Sequence, residues 1–365
     1  MRILCSVNPA PGHLFAMVPL AWALHLEGHQ VIVAAPRVLA PLIRRSGLTA
    51  AVVGGDTTFL TCRPPGRPIG GAGLDLDASV TIAERTMPEL VDLVRTWQPD
   101  LIVTEPAAFA GPLAATVTGT PWVLHQGGLQ PADEVVQDAL SRVADRLDRL
   151  GPAPKPPLAT IDTSPPSMRP APAFGSVLAM RPVAYHGACT APQWLLAAPE
   201  RPRVCVSMGT VAIPEGVEGL TAALHGLSDL AIDVIVSGAG AYAVADLPAN
   251  VTRVGWVPHH HLLPGCDLFV HHSGATSSTA ALVAGRPHLV MPQMADQFSI
   301  AERLTRAGVA RCVPFADRGP QAVRDAALDL LDDPFYAARA ERLRKEIAAM
   351  PAPGTVAADL LSRLR

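Results

Sequence analysis

The chain has 365 residues, of which 49% are hydrophobic and 17% charged, and carries a formal net charge of −3. That length is too great for one ordinary core and predicts two domains, each burying its own apolar centre. A near-neutral balance without a basic stripe excludes nucleic acid and anionic membrane as electrostatic partners. No run approaches the roughly twenty apolar residues of a membrane span, which leaves a small molecule as the expected partner.

Taken in chain order, residues 2–7 read as an apolar strand, 8–12 as a loop too rich in proline for regular structure, 14–26 as a helix and 30–34 as a second strand. The first strand begins at Arg2 with no charged leader region or small-residue cleavage site, so a cytoplasmic protein is expected. The six cysteines form no C-x-x-C pair, and Cys5 and Cys205 lie inside apolar runs, which suits buried free thiols in a reducing compartment. A strand over 100–104 ends at Glu105, just ahead of a helix over 109–117. Proline-dense stretches at 151–157 and 164–172 exclude helix and central strand there, and a break at 192–202 reads as a hinge.

Beyond residue 200 the alternation starts afresh: a strand over 203–208, Gly209-Thr210, a helix over 219–227 and a strand over 232–236. Such alternation implies right-handed βαβ units and parallel sheets. The expected fold class is α/β, with two Rossmann-like domains facing across a cleft. The domains are placed at 1–195 and 200–350, and a C-terminal helix at 351–365 either continues the second domain or crosses back to the first.

Open α/β sheets bind ligands at the carboxyl ends of their strands, so facing domains set candidate groups on opposite walls. On one wall stands His13, in the first helical turn after the proline-rich loop. A general base needs a pKa near the working pH and reach to an acceptor hydroxyl, which His13 offers; the alternative is a histidine that caps the loop. Glu105 is the candidate carboxylate to fix the tautomer of His13 and stabilise its cation, or else an acid stabilised by a helix dipole.

On the other wall, residues 271–297 read HHSGATSSTAALVAGRPHLVMPQMADQ. An apolar strand over 267–270 enters a turn of small residues, a helix opens at about Gly274, and a second strand follows over 288–291. Unpaired N–H groups at such a helix start, from Gly274, Ala275, Thr276 and Ser277, form a cradle for a diphosphate. His272 adds a side-chain donor, Ser273 belongs to the turn, and Thr276 and Ser277 add hydroxyls. Trp256 either stacks on a nucleobase or fills the core, with Val257 offering backbone contacts.

These segments resemble the donor-binding signature of family-1 glycosyltransferases, in particular the bacterial branch that tailors antibiotics and other natural products. Its usual wording is H-H-G-G-A-G-T and, about twenty residues later, P-Q-x-x-D-Q, readable here at 271–277 and 292–297. Gly12-His13, the segment Gly255-Trp256-Val257-Pro258 and the C-terminal helix extend the likeness over most of the chain. The departures at Ser273, Thr276 and Ser277, where Gly, Gly and Thr are commoner, keep the residues small. The resemblance implies the GT-B arrangement, a metal-independent inverting reaction, no cofactor, and TDP-sugar as donor substrate. It gives His13 the role of base and Glu105 that of its orienting acid. Asp296 and Gln297 then contact sugar hydroxyls, although Asp296 is also placed to cap the helix that follows.

Ala280 stands where plant relatives that use UDP-sugars carry a ribose-binding glutamate, which favours TDP. Asp75-Leu-Asp77 spells the D-x-D of metal-dependent glycosyltransferases but follows a glycine-rich segment and reads as a solvated loop. The histidines at 259–261 and 271–272 lack ligand spacing, so no metal is assigned. The acceptor, a hydrophobic natural product such as a polyketide, is expected against loops around Thr57 to Leu76 and Met87. A homodimer stays open. The rival readings are a nucleotide-sugar epimerase or hydrolase on the same fold, and a non-catalytic nucleotide-sugar-binding partner of another transferase.

Overall fold

The computed structural model describes residues 1–63, 71–72, 76–129, 133–169, 176–210 and 213–364. Its first part runs β1 (Arg2–Ser6), α1 (Pro11–Leu26), β2 (Gln30–Ala35), α2 (Ala40–Arg45), β3 (Thr49–Val52), α3 (Phe59–Cys62), β4 (Gly71–Ala72) and α4 (Asp77–Trp97). It continues through β5 (Leu101–Thr104), α5 (Ala110–Thr118), β6 (Trp122–His125), α6 (Asp133–Leu150), β7 (Thr160–Asp162) and β8 (Val177–Ala179). The second part runs β9 (Arg203–Ser207), α7 (Pro214–Leu227), β10 (Asp233–Ser237), β11 (Val251–Gly255), α8 (His259–Leu262), β12 (Leu268–His271) and α9 (Ala275–Ala284). It ends with β13 (His288–Val290), β14 (Met294–Ala295), α10 (Gln297–Arg306), β15 (Ala310–Cys312), α11 (Pro320–Asp332), α12 (Pro334–Ala348) and α13 (Pro353–Ser362).

Two parallel sheets result, in strand order β3-β2-β1-β5-β6-β7-β8 and β11-β10-β9-β12-β13-β15. Each is a Rossmann-like domain, and the chain is mixed α/β. Ile3, Leu4 and Cys5 of β1 and Val204, Cys205 and Val206 of β9 are fully buried, as strands covered by helices on both faces must be. Burial pushes the Cys5 thiol up to about 12, so it is an inert core group.

Helix α1 starts with Pro11, whose fixed φ suits the first turn and whose missing N–H removes no intrahelical bond. It is apolar on most sides because it is covered on most sides: by the sheet, by α9 and by α13. Val356, Ala357, Leu360 and Leu361 of α13 complete the core around β1 and α1, so the C-terminal helix lies on the first domain. A short parallel pairing of β4 with β14 also bridges the two domains. Among the described residues no helix is long and apolar enough to cross a membrane.

Two short strands flank the proline-dense stretch at 164–172: β7 and β8 hold three residues each and extend the first sheet, with β8 at its edge.

Candidate active site

His13 and Glu105 meet at the carboxyl ends of neighbouring strands. The loop after β1 turns into α1 at Pro11, and β5, paired with β1 in register Ser6 with Thr104, delivers Glu105 beside that loop. His13 Nδ1 lies 3.0 Å from Glu105 Oε1. Glu105 is buried, and its carboxylate accepts the Asn8 N–H at 3.1 Å and the Ala107 N–H at 2.7 Å. Burial opposes both charges, but the attraction and hydrogen bond between the two groups outweigh it. The carboxyl is held below its ordinary range and the imidazole above its own, with Asp296 adding to the latter. Because Nδ1–H is given to Glu105, the Nε2 lone pair faces the cleft, and the side chain of His13 is 34% exposed.

Opposite stands the start of α9. Gly274 is its N-cap with no side-chain cap, and the first N–H with an intrahelical acceptor is that of Ser278, bonded to Gly274 O at 2.9 Å. The amides of Ala275, Thr276 and Ser277 therefore have no chain acceptor among the described residues, and they carry the positive end of the helix dipole. The two walls approach closely: a side chain at Gly12 would begin 3.2 Å from the Thr276 hydroxyl. The His272 ring lies between Gly209 and Gly274, where an added Cβ would meet it at 2.7 Å and 2.4 Å respectively. Only glycine admits the ring there. Burial lowers its pKa to about 4 against the opposing pull of the Ser207 backbone, so the ring is neutral rather than a cation.

Several expected contacts are relocated. Ser273 is fully buried and its hydroxyl donates into the backbone, away from the cleft, so it is no ligand contact. The Gln297 side-chain oxygen accepts the N–H groups of Gln293 and Met294 at 2.9 Å and 3.2 Å, so it organises the loop instead of reaching a sugar. Asp296 occupies the N-cap of α10 without a side-chain cap bond, and its carboxyl, raised by burial against the opposing pull of His13, faces that ring. Ala280 is buried, and its side chain packs with Val257, Leu262 and Phe269 in the core of the second domain. Met87 likewise packs in the core with Leu90 and Ile102.

Trp256 is 43% exposed and its Nε1 donates to His186 O at 3.1 Å, with Phe15 6.1 Å away; Val257 is buried beneath it. Asp77 begins α4 and pairs with Arg146 at 3.2 Å, while Asp75 lies outside the described residues. Among the described residues no three potential ligands gather as a metal site. On the acceptor side Phe59 of α3 packs 5.8 Å from His13, and the next residue, Leu60, is 63% exposed. Residues 64–70 and 73–75 of the expected acceptor loop lie outside the described residues.

One neighbour escaped the sequence reading. His125 ends β6 next to Glu105, is buried with both ring nitrogens unpartnered, and burial lowers it to about 4. With His186, Thr276 and Thr279 it lines a narrow cavity between α1 and α9. A histidine at the end of the short apolar run 122–125 was the available signal.

Two facing Rossmann-like domains, with a histidine–carboxylate pair opposite an uncapped helix start, define a two-domain glycosyltransferase of GT-B type. Comparison with known proteins agrees. Family models for the N-terminal and C-terminal domains of erythromycin biosynthesis protein CIII-like proteins match residues 70–209 and 221–362. The chain is 37% identical to L-demethylnoviosyl transferase of Streptomyces niveus, covering 100% of this chain and 99% of that protein. It is 32% identical to 10-deoxymethynolide desosaminyltransferase of Streptomyces venezuelae, covering 99% and 96%. The structure of glycosyltransferase SsfS6 from Streptomyces sp. SF2575, complexed with thymidine diphosphate, superposes with a TM-score of 0.84 at 28% identity over 99% of each chain. The chain belongs to the erythromycin biosynthesis protein CIII-like family of antibiotic-tailoring glycosyltransferases.

Proposed function

We infer that this enzyme moves a deoxysugar from a TDP-sugar to a hydroxyl of a hydrophobic natural product such as a polyketide, by one inverting displacement without a metal. The observation that carries this reading is the His13–Glu105 pair, 3.0 Å apart, facing the uncapped start of α9 across a cleft in which Asp296 also acts on His13. The diphosphate lies on the amides of Ala275 to Ser277, with His272 as a neutral donor. Asp296 accepts hydroxyls of the sugar, and Trp256 with the backbone of Val257 borders the base.

His13 Nε2 takes the acceptor O–H proton as that oxygen forms its bond to the anomeric carbon. The bond from that carbon to the β-phosphate oxygen breaks, and TDP leaves with the electron pair toward the positive end of α9. Glu105 holds Nδ1–H and stabilises the imidazolium. Thymidine is supported by the TDP complex of the similar SsfS6, and the sugar class by relatives named for demethylnoviosyl and desosaminyl transfer. Exposed Leu60, the chain neighbour of the Phe59 that packs against His13, suits an apolar acceptor.

The test is His13→Ala assayed against TDP-sugars and polyketide aglycones by mass spectrometry, with calorimetric titration of TDP. The expected result is a loss of transfer of about two to four powers of ten with TDP binding kept. Parental transfer to an unactivated hydroxyl would remove His13 as base. Donor turnover by the parent without any acceptor product would instead favour a hydrolase.

A further inference from the structure

We propose that the Ser273 hydroxyl is a positioning group for the donor sugar: it ties the phosphate cradle to the 292–297 loop and so sets where the Asp296 carboxylate stands. The proposal rests on the donor reading above. Ser273 is fully buried and touches no ligand itself. Its Oγ lies 2.6 Å from the carbonyl oxygen of Gln297 and 2.7 Å from that of His272. A hydroxyl has one proton to share between those acceptors, so a single group clamps both halves of the donor motif.

The Asp296 carboxylate meets its own backbone N–H and the charge of His13, but makes no cap bond to α10, and Ala295 before it holds a left-handed φ of 51°. The carboxylate therefore stands where its neighbours are held: at Gln297 by the Ser273 hydroxyl, and at Gln293 and Met294 by the Gln297 side-chain oxygen. On the other side, His271 accepts the Ser273 N–H at 3.0 Å through Nδ1 and meets His288 at 3.0 Å through Nε2. This buried pair keeps Ser273 at a φ of 59°, where serine is strained and glycine is not. Strain of this kind persists where its surroundings overdetermine it, and here it brings the hydroxyl onto the loop.

Two variants remove the hydroxyl with opposite effects on the strain. Ser273→Gly removes both the bond and the strain, whereas Ser273→Ala removes the bond and keeps the strain. Parent and variants are titrated calorimetrically with TDP and with TDP-glucose, alongside thermal melts. Both variants are expected to bind TDP-glucose about three- to tenfold more weakly, the worth of one hydrogen bond, with TDP affinity within about twofold of the parent. The Tm of the alanine variant should fall while that of the glycine variant stays near the parent, so equal sugar-specific losses separate positioning from general destabilisation. Unchanged TDP-glucose affinity, a loss confined to one variant, or a parallel loss of TDP overturns the proposal and leaves the donor reading intact. Failure of the parent to bind TDP overturns both.

Discussion

Glu105→Gln keeps the shape of the side chain and removes its charge, and the site leaves it no satisfactory arrangement. Oε1 of Glu105 receives Asn8 N–H at 3.1 Å and His13 Nδ1 at 3.0 Å, and Oε2 receives Ala107 N–H at 2.7 Å. An amide has one oxygen and one NH2, so one backbone N–H must face other N–H hydrogens, a buried mismatch costing about 1–3 kcal/mol. If the oxygen keeps the shorter bond to Ala107, the NH2 turns on His13, moves its proton to Nε2, and the ring ceases to be a base. If the oxygen stays with His13, the tautomer survives but the imidazolium loses its counter-charge. Either way the expected loss of transfer is about 10²–10³-fold, within the range of a positioned general base, with a lower denaturation midpoint and TDP affinity unchanged. Initial rates at saturating donor and a calorimetric TDP titration measure both. Transfer at the parental rate would refute the orienting role, and a loss confined to TDP affinity would move Glu105 to the donor side.

The pair also fixes a pH dependence. His13 is raised above its ordinary value, so the acid limb of the rate should lie above about pH 6.5, and it should move down in Glu105→Gln and, by less, in Asp296→Asn; an unmoved limb in both variants contradicts the assignment. The same shifts contribute stability that is lost as pH rises through the raised value of His13, and lost at the other end as pH falls through the lowered value of Glu105. His272→Ala removes a donor to a charged phosphate and should weaken TDP about 10- to 100-fold in calorimetry without unfolding the protein. Trp256→Ala should lower nucleotide affinity about 5- to 100-fold if the base stacks there, and an unaltered Kd would leave the ring as a wall of the cleft bonded to His186.

The catalytic pair was legible because each residue follows an unambiguous strand, and because the prolines between Asn8 and Gly12 force the chain to turn there. The cradle was legible for a similar reason: a strand, small residues and a helix start leave one place for an anion. What failed was phase. Helix α9 is apolar or small on every side, so no amphipathic pattern showed that Ser277, Ala280 and Ala281 face inward. Strand order was equally hidden. The adjacency of His125 to Glu105 depends on β6 pairing with β5, in register Leu124 with Thr104, which no local pattern encodes. The inward turn of Ser273 depends on a positive φ held by His271 and His288, 17 residues apart in the chain. The amphipathic stretch at 356–364 had two possible destinations, and packing against α1 is a tertiary choice.

The most direct measurement is the anomeric configuration of the product, read by NMR after reaction of the enzyme with a TDP-sugar and a hydrophobic aglycone. A base on one wall and a leaving diphosphate on the other allow one displacement from the opposite face, so the glycoside should form with inverted configuration. A glycoside of retained configuration would contradict single displacement through His13.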